Sequence, residues 1–316
     1  MIDLRNKNIL VTGAGGFLGR HVTDNLLSNR MVPRDQIFTP GSSTFDLTRR
    51  ENCEKAVRDC DVVIHIAANV GGIGYNSRHP GRVFYDNIIM GTELMEAARK
   101  EGVERFVSIG TTCAYPKVTK VPFREDDLWN GYPDEITGPY GLAKKMLLVQ
   151  GQSYRKEYEF NSIFLIPTNL YGPKDHFDVE NSHVIPALIR KIVDAKENES
   201  TSVTVWGTGK ATREFLYVED AAEGIVLATE RYNAADPINL GTGKETSISE
   251  LVRKIAELSQ FEGQIIWDDS KPDGQPRRSL DVSAALEQFG FTAETSLDEG
   301  LAKTFAWYVE QKDQLN

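Results

Sequence analysis

The chain reads as an α/β protein: a doubly wound parallel sheet followed by a smaller α/β C-terminal domain. Three observations predict this. Short apolar, β-branched runs alternate with helical stretches through the first half. A glycine-rich turn joins the first run to the first helix. The second half then changes character, with Gly, Pro and Asn gathered into loops such as Trp206-Gly207-Thr208-Gly209 and Asn239-Leu240-Gly241-Thr242-Gly243.

The elements follow in order. Asn8 to Thr12 is a buried-strand pattern, and Gly16 to Ser28 has helical spacing with Phe17, Leu18, Val22, Leu26 and Leu27 on one side. Gln36 to Thr39 is a short second strand, Arg49 to Asp59 a helix, and Asp61 to Ala67 a third, nearly all-apolar strand. A long helix over Arg82 to Glu101 precedes a strand over Arg105 to Ile109. A second long helix, Tyr140 to Glu157, precedes a fifth strand, Ser162 to Ile166. Strands without polar alternation are buried on both faces, which requires helices on either side and right-handed crossovers. Later helices are expected over Val184 to Ala195, Asp220 to Glu230, Ser249 to Leu258 and Leu297 to Lys312. The expected division is a dinucleotide-binding domain over 1–168, rejoined by 207–235, and a substrate domain over 169–206 and 236–316.

Composition narrows the function. The 316 residues carry 36 basic and 46 acidic side chains, a formal net charge of −10. Such a chain has no general attraction for nucleic acid or for an anionic membrane surface. Three cysteines, Cys53, Cys60 and Cys113, form neither a disulfide framework nor a zinc pattern. No apolar run approaches the roughly 18 residues of a membrane span, and strand-like sequence from Lys7 leaves no room for a signal peptide. The expectation is a soluble cytoplasmic protein without a metal.

Gly13, Gly16 and Gly19 form a G-x-x-G-x-x-G series between the first strand and the first helix. In that context it marks a Rossmann-type dinucleotide site, with the pyrophosphate held by backbone N–H groups and the helix dipole. NAD-preferring sites place an acid near the end of the second strand. Here the stretch is Phe38-Thr39-Pro40-Gly41-Ser42-Ser43-Thr44, with no acid and no arginine. It leaves room for a 2′-phosphate, with Ser42 and Ser43 as donors. NADP is therefore favoured, and NAD stays open as the alternative. Asp46 either meets the adenine edge or caps the next helix.

Tyr140 and Lys144 lie four apart on a predicted helix and share a face. A neighbouring ammonium is expected to lower the phenol pKa and make Tyr140 an acid/base. Thr111 and Cys113 follow the fourth strand, at the carboxyl end where such sheets bind ligands. A Thr111 hydroxyl there could hydrogen-bond a substrate carbonyl oxygen. Cys113 alone reads equally as a buried apolar side chain, and His183 as a helix cap.

Taken together, these motifs resemble the extended, nucleotide-sugar-modifying branch of the short-chain dehydrogenase/reductase superfamily. More narrowly they resemble its bifunctional 3,5-epimerase/4-reductases, which convert GDP-4-keto-6-deoxy-D-mannose to GDP-L-fucose. The residues carrying the likeness are Val70-Gly71-Gly72-Ile73, Thr112 to Lys117, Pro139 to Lys144, Pro167 to Pro173, Asn181 to Leu188, Arg213-Glu214-Phe215 and Ser270 to Gly274. The resemblance implies a reductase set of Thr111, Tyr140 and Lys144, and an epimerase pair of Cys113 as base and His183 as acid. It implies NADP contacts at Phe17, Leu18, Ala67, Pro167, Asn169 and Leu170. It implies nucleotide-sugar contacts at Asn169, His183, Val184, Lys191, Trp206, Arg213, Lys271 and Asp273. Two departures stand out: Thr111 replaces a frequent serine, and the glycine loop lacks an arginine that some members place near the NADP phosphate. The branch commonly dimerises through two long helices, here Arg82–Glu101 and Tyr140–Glu157. A related 4-reductase or C5-epimerase/reductase acting on another 4-keto sugar or heptose fits the same residues, and so, less well, does a non-catalytic dinucleotide sensor.

Overall fold

The structure, a computed structural model, describes residues 1–178, 182–271 and 273–315. Asn181 and Pro272, within two of the motifs above, lie outside the described residues. The strands are β1 (Ile9–Thr12), β2 (Ile37–Phe38), β3 (Val62–His65), β4 (Arg105–Ile109), β5 (Ser162–Pro167), β6 (Asn169–Tyr171), β7 (Ser202–Trp206), β8 (Thr212–Tyr217), β9 (Pro237–Leu240), β10 (Glu245–Ser247), β11 (Gln264–Asp268) and β12 (Arg277–Arg278). The α-helices are α1 (Phe17–Ser28), α2 (Arg50–Ala56), α3 (Ile73–Arg78), α4 (Pro80–Glu101), α5 (Gly138–Tyr158), α6 (Val184–Glu197), α7 (Val218–Arg231), α8 (Ile248–Ser259), α9 (Ser283–Phe289) and α10 (Leu297–Leu315).

Six strands form one parallel sheet in the order β2-β1-β3-β4-β5-β9. Alternate residues of each central strand feed two different cores. Ile9 and Val11, Val62 and Ile64, Val107 and Ile109, and Ile163 and Leu165 face a core completed by α1, α7 and α9. Leu10, Val63, Phe106, Phe164 and Ile166 face the other, completed by α2, α4 and α5. This two-sided burial is why the strands read as unbroken apolar runs. The expected strands and long helices of the first half are all present. The sheet takes its sixth strand from Pro237–Leu240, just past the 207–235 segment expected to return to it.

A third core lies beyond the carboxyl edge of this sheet. It joins Tyr171, Phe215 and Tyr217 to Ile185, Ile189 and Ile192 of α6, Leu251 and Ile255 of α8, and Leu301 and Tyr308 of α10. Here the sheets are small: β10-β8-β12 with β6 beside β8, and the parallel pair β11-β7. Sequence reading left these strands, α3 and α9 as loops. Each strand is two to six residues long and several are half polar, so neither period nor length marks them.

Glu214 of β8 pins the two layers together. Its fully buried carboxylate accepts the backbone N–H groups of Thr242 at 2.6 Å, Gly243 at 2.9 Å and Leu280 at 2.6 Å. Its own carbonyl accepts the Asn169 amide at 2.9 Å. Glu214→Gln keeps the volume but turns an amide N–H₂ toward one of those donors. We expect a loss of roughly 3 kcal/mol in denaturant unfolding; an unchanged midpoint would refute this anchoring role.

Asp175, between β6 and α6, is buried. One oxygen accepts the His176 N–H at 2.7 Å and the other has no partner. Burial pushes its carboxyl up from 3.8 to about 7. A folded-state pKa above the unfolded one gives stability that is complete at low pH and lost as pH rises through about 7. Asp175→Asn is therefore expected to flatten the fall in Tm between about pH 4 and about pH 8. A wild-type Tm that does not fall over that range contradicts the assignment.

Candidate active site

The glycine turn is built for close approach. Gly13 follows β1 with φ +72°, and a Cβ there would sit 2.8 Å from the Ala67 nitrogen. A Cβ at Gly19 would collide with the Gly13 carbonyl oxygen. Gly16 caps α1 from extended backbone and donates to the Gly13 carbonyl at 2.9 Å. Phe17 and Leu18 open the helix, and Gly15 and Gly16 are exposed. The result is a side-chain-free cradle at a helix N-terminus, shaped for a diphosphate.

Thr12 stitches this cradle to β3. Its hydroxyl oxygen accepts the N–H groups of Ile66 and Ala67, each at 3.2 Å, and lies 2.9 Å from His65 Nδ1. With its acceptor capacity used, the hydroxyl donates to Nδ1, leaving a neutral imidazole protonated on Nε2. Burial, followed by the charge of nearby Lys144, holds His65 well below the usual histidine range. Sequence reading passed over His65 because it ends an otherwise apolar strand.

Beyond the cradle, the loop after β2 is a tight turn: Thr44 and Phe45 both donate to the Gly41 carbonyl. Ser42 and Ser43 are exposed on it. Asp46 accepts the N–H of Thr48 at 3.0 Å and its hydroxyl at 2.6 Å, with Arg49 at 3.6 Å. The turn thus precedes α2 without capping it directly, since the cap position is Arg49.

Past β4, Thr111 caps a short 3-10 turn, Thr112–Ala114, by accepting the Cys113 N–H at 3.2 Å. The Thr111 hydroxyl hydrogen is left to donate elsewhere. Helix α5 packs directly on this turn, because a Cβ at Gly141 would collide with the Cys113 carbonyl. That contact sets Tyr140 next to Cys113. Tyr140 and Lys144 lie on α5, Lys144 fully inside.

The electrostatics differ from the sequence expectation. Burial pushes the Tyr140 phenol up, and the same desolvation lowers Lys144 to about 8. No hydrogen bond joins the two side chains among the described residues. Both groups are displaced toward their neutral forms because the site is poor in water, and that outweighs their attraction.

His183 arrives from elsewhere, as the cap residue of α6, with Val184 the first helical residue. Its ring is reachable by solvent yet walled by protein; that desolvation, then the nearby His176, lowers its pKa. Among the described residues no hydrogen bond links His183 to Cys113. Pro167 ends β5, and Asn169 and Leu170 begin β6 at the junction of the two layers.

The residues expected to meet a nucleotide sugar split into two groups. Arg213 is tied to the backbone, donating to the carbonyls of Thr212 and Gln275 at 2.7 Å and of Asp273 at 3.0 Å. Burial, and then Arg278, lower its pKa to about 10. The Asp273 carboxylate holds the Gly207 turn through Thr208 N–H at 2.7 Å and its hydroxyl at 2.6 Å. Trp206 is 69% exposed, with the Lys271 ammonium 5.7 Å from its ring centre. Arg277 is paired with Glu245, whereas Lys191 on α6 is partly exposed. The structure therefore gathers Trp206, Arg213, Lys271 and Asp273 around one loop pair and sets Lys191 on a separate helix.

Sequence reasoning also missed a tether for the Val70-Gly71-Gly72 loop. Asn87 of α4 donates to the Asn69 carbonyl at 2.7 Å and accepts its N–H at 3.1 Å. An asparagine on the buried side of a helix was the available signal.

Residues 9–241 match the NAD dependent epimerase/dehydratase family. A GDP-L-fucose synthase of Sinorhizobium fredii is 39% identical, covering 98% of each chain. A GDP-L-colitose synthase of Yersinia pseudotuberculosis is 34% identical over 96% of this chain and 99% of that one. A crystal structure of a GDP-L-fucose synthetase from Naegleria fowleri bound to NADP superposes with a TM-score of 0.88 at 28% identity, covering 98% of this chain and 96% of that one. The chain belongs to the NAD dependent epimerase/dehydratase family, and within it to the group of the GDP-L-fucose synthases.

Proposed function

We propose that this NADP-dependent enzyme converts GDP-4-keto-6-deoxy-D-mannose to GDP-L-fucose by C3/C5 epimerisation followed by C4 reduction. The observation carrying the proposal is the meeting of Thr111, Cys113 and Tyr140 where Gly141 abuts the Cys113 carbonyl. This backbone contact supports a hydroxyl donor, a thiol and a phenol acting together at the carboxyl end of β4.

The residues fit the cofactor: Gly13, Gly16 and Gly19 form the diphosphate cradle, and Ala67 lies against it. When bound, NADPH supplies the hydride for C4. Lys144 would hold the nicotinamide ribose, with Pro167, Asn169 and Leu170 as further contacts.

The chain's own chemistry follows from the 4-keto group, which acidifies the C–H bonds at C3 and C5. Thr111 and Tyr140 would donate to the enolate oxygen, charge that develops only along the reaction path. Cys113 would take the proton from one face and His183 return one to the other. Its lowered pKa makes the His183 imidazolium, once formed, the stronger proton donor. In the reduction Tyr140 supplies the proton to the C4 alkoxide, and its raised pKa keeps it protonated until then. The nucleotide diphosphate would lie against Arg213 and Lys271, with Trp206, Val184, Lys191 and Asp273 around it. A second reading, supported by the likeness to a GDP-L-colitose synthase, is a related 4-reductase or C5-epimerase/reductase acting on another 4-keto sugar.

We further propose a homodimer through α4 and α5, which lie side by side and leave Phe84, Tyr85 and Val149 exposed. Among the described residues no helix is long and apolar enough to cross a membrane.

With substrate and NADPH in D₂O, deuterium should enter at both C3 and C5. Reduction without exchange would refute the epimerase half, and turnover only with a different 4-keto nucleotide sugar would favour the second reading. Cys113→Ala should abolish exchange, while Tyr140→Phe should lower kcat by about 10²- to 10⁴-fold. The kcat/KM for NADPH should fall as pH rises through about 8, where Lys144 loses its charge, and Lys144→Arg should move that limb upward. A limb unmoved by the substitution rules out Lys144 as its source.

A further inference from the structure

The turn that carries Cys113 is fastened a second time, two residues further on. Tyr115 closes it with extended backbone (φ −71°, ψ 149°), the region to which the following Pro116 restricts it. Its buried ring lies against Phe123, and its hydroxyl is 2.7 Å from Oδ1 of Asn239. Asn239 belongs to β9, the sixth strand of the parallel sheet, 124 residues away in the chain.

The surroundings of the Asn239 amide settle the direction of that bond. Nδ2 donates to the carbonyls of Phe123 and Asp281, each at 3.1 Å. Two acceptors on that side fix the nitrogen there, so Oδ1 faces Tyr115 and the phenol donates. Burial pushes the Tyr115 phenol up, so the donor keeps its proton. The Asn239 backbone N–H donates to Glu125 at 2.9 Å. Asn239 is fully buried, and it joins two stretches that Glu214 also grips, through Thr242, Gly243 and Leu280. A path of hydrogen bonds and backbone thus runs from Glu214 through Asn239 and Tyr115 to the Cys113 turn.

We propose that Tyr115 and Asn239 are positioning residues for Cys113, fixing the turn from which the thiol removes a proton; this rests on the epimerase reading above. A single 3-10 turn has weak internal geometry. Its own bonds, Ala114 N–H to Thr111 and Tyr115 N–H to Thr112, measure 3.1 and 3.2 Å. Proton removal tolerates little misplacement, so looseness in this turn costs rate before it costs binding. The hydrogen bonds that build the cofactor cradle run between Gly13, Gly16, Thr12, Ile66 and Ala67, and none of them involves Tyr115 or Asn239. The bond therefore bears on exchange at C3 and C5 and leaves nucleotide binding alone.

The test is deuterium exchange into the 4-keto nucleotide sugar by the full chain in D₂O without NADPH, with NADPH affinity read separately by fluorescence. Tyr115→Phe keeps the ring on Phe123 and removes only the hydroxyl. It should lower kcat for exchange by about tenfold to a hundredfold, with the substrate KM and the NADPH Kd within about twofold of wild type. Asn239→Ala removes the acceptor instead and should lower kcat for exchange at least as far. Adding Tyr115→Phe to it should then cost nothing further, because the pair acts as one bond. Thermal melts set the assay temperature below the transition of each variant. An unchanged kcat in Tyr115→Phe, a fall matched by equal weakening of NADPH binding, or additive losses in the double variant each overturn the positioning role. A wild type that exchanges nothing overturns the epimerase reading and this inference with it, whereas wild-type exchange with an unaltered Tyr115→Phe overturns the inference alone.

Discussion

The architecture depends on one buried carboxylate. Glu214 gathers three backbone N–H groups from two separate stretches of chain, while its own peptide carbonyl receives Asn169. Burying a charge is costly unless donors surround it. Here the donors belong to the segments that must be brought together: the loop after β9, which returns to the cofactor sheet, and the strand leading toward α9. The smaller sheets are thereby registered against the six-stranded sheet by hydrogen bonds as well as by apolar contact. Arg213, next in sequence, inherits that placement and fixes the 271–278 loop in turn.

The same economy governs the polar side chains past β4. Thr111, Cys113 and Tyr140 are not drawn together by attraction to each other. They meet because β4 ends, a single 3-10 turn follows, and α5 can approach its backbone only at a glycine. The low-water environment that results shifts Tyr140 and Lys144 in opposite directions, toward neutrality. A phenol in such surroundings stays protonated rather than standing as a phenolate.

Much of this was legible in the sequence. The two-faced strands announced themselves as unbroken apolar runs, and the long helices by their spacing. The glycine series, Tyr140 with Lys144, and the Thr111-to-Cys113 segment were each visible as short local patterns. Less visible was anything built from distant pieces. The small strands of the second layer are too short to show a period. His65 and Asn87 are polar residues hidden in apolar elements, and their partners lie 53 and 18 residues away. The expected lowering of Tyr140 by Lys144 failed for a related reason: spacing on a helix shows which groups share a face, but not how dry that face will be.

Because α5 rests on a backbone carbonyl at residue 113, the packing is blind to the side chain carried there. The thiol can be exchanged for another small group while the helix, the tyrosine and the cofactor cradle stay where they are. On the roles proposed above, the exchange step could be gained or shed by substitution at this one position without rebuilding the scaffold.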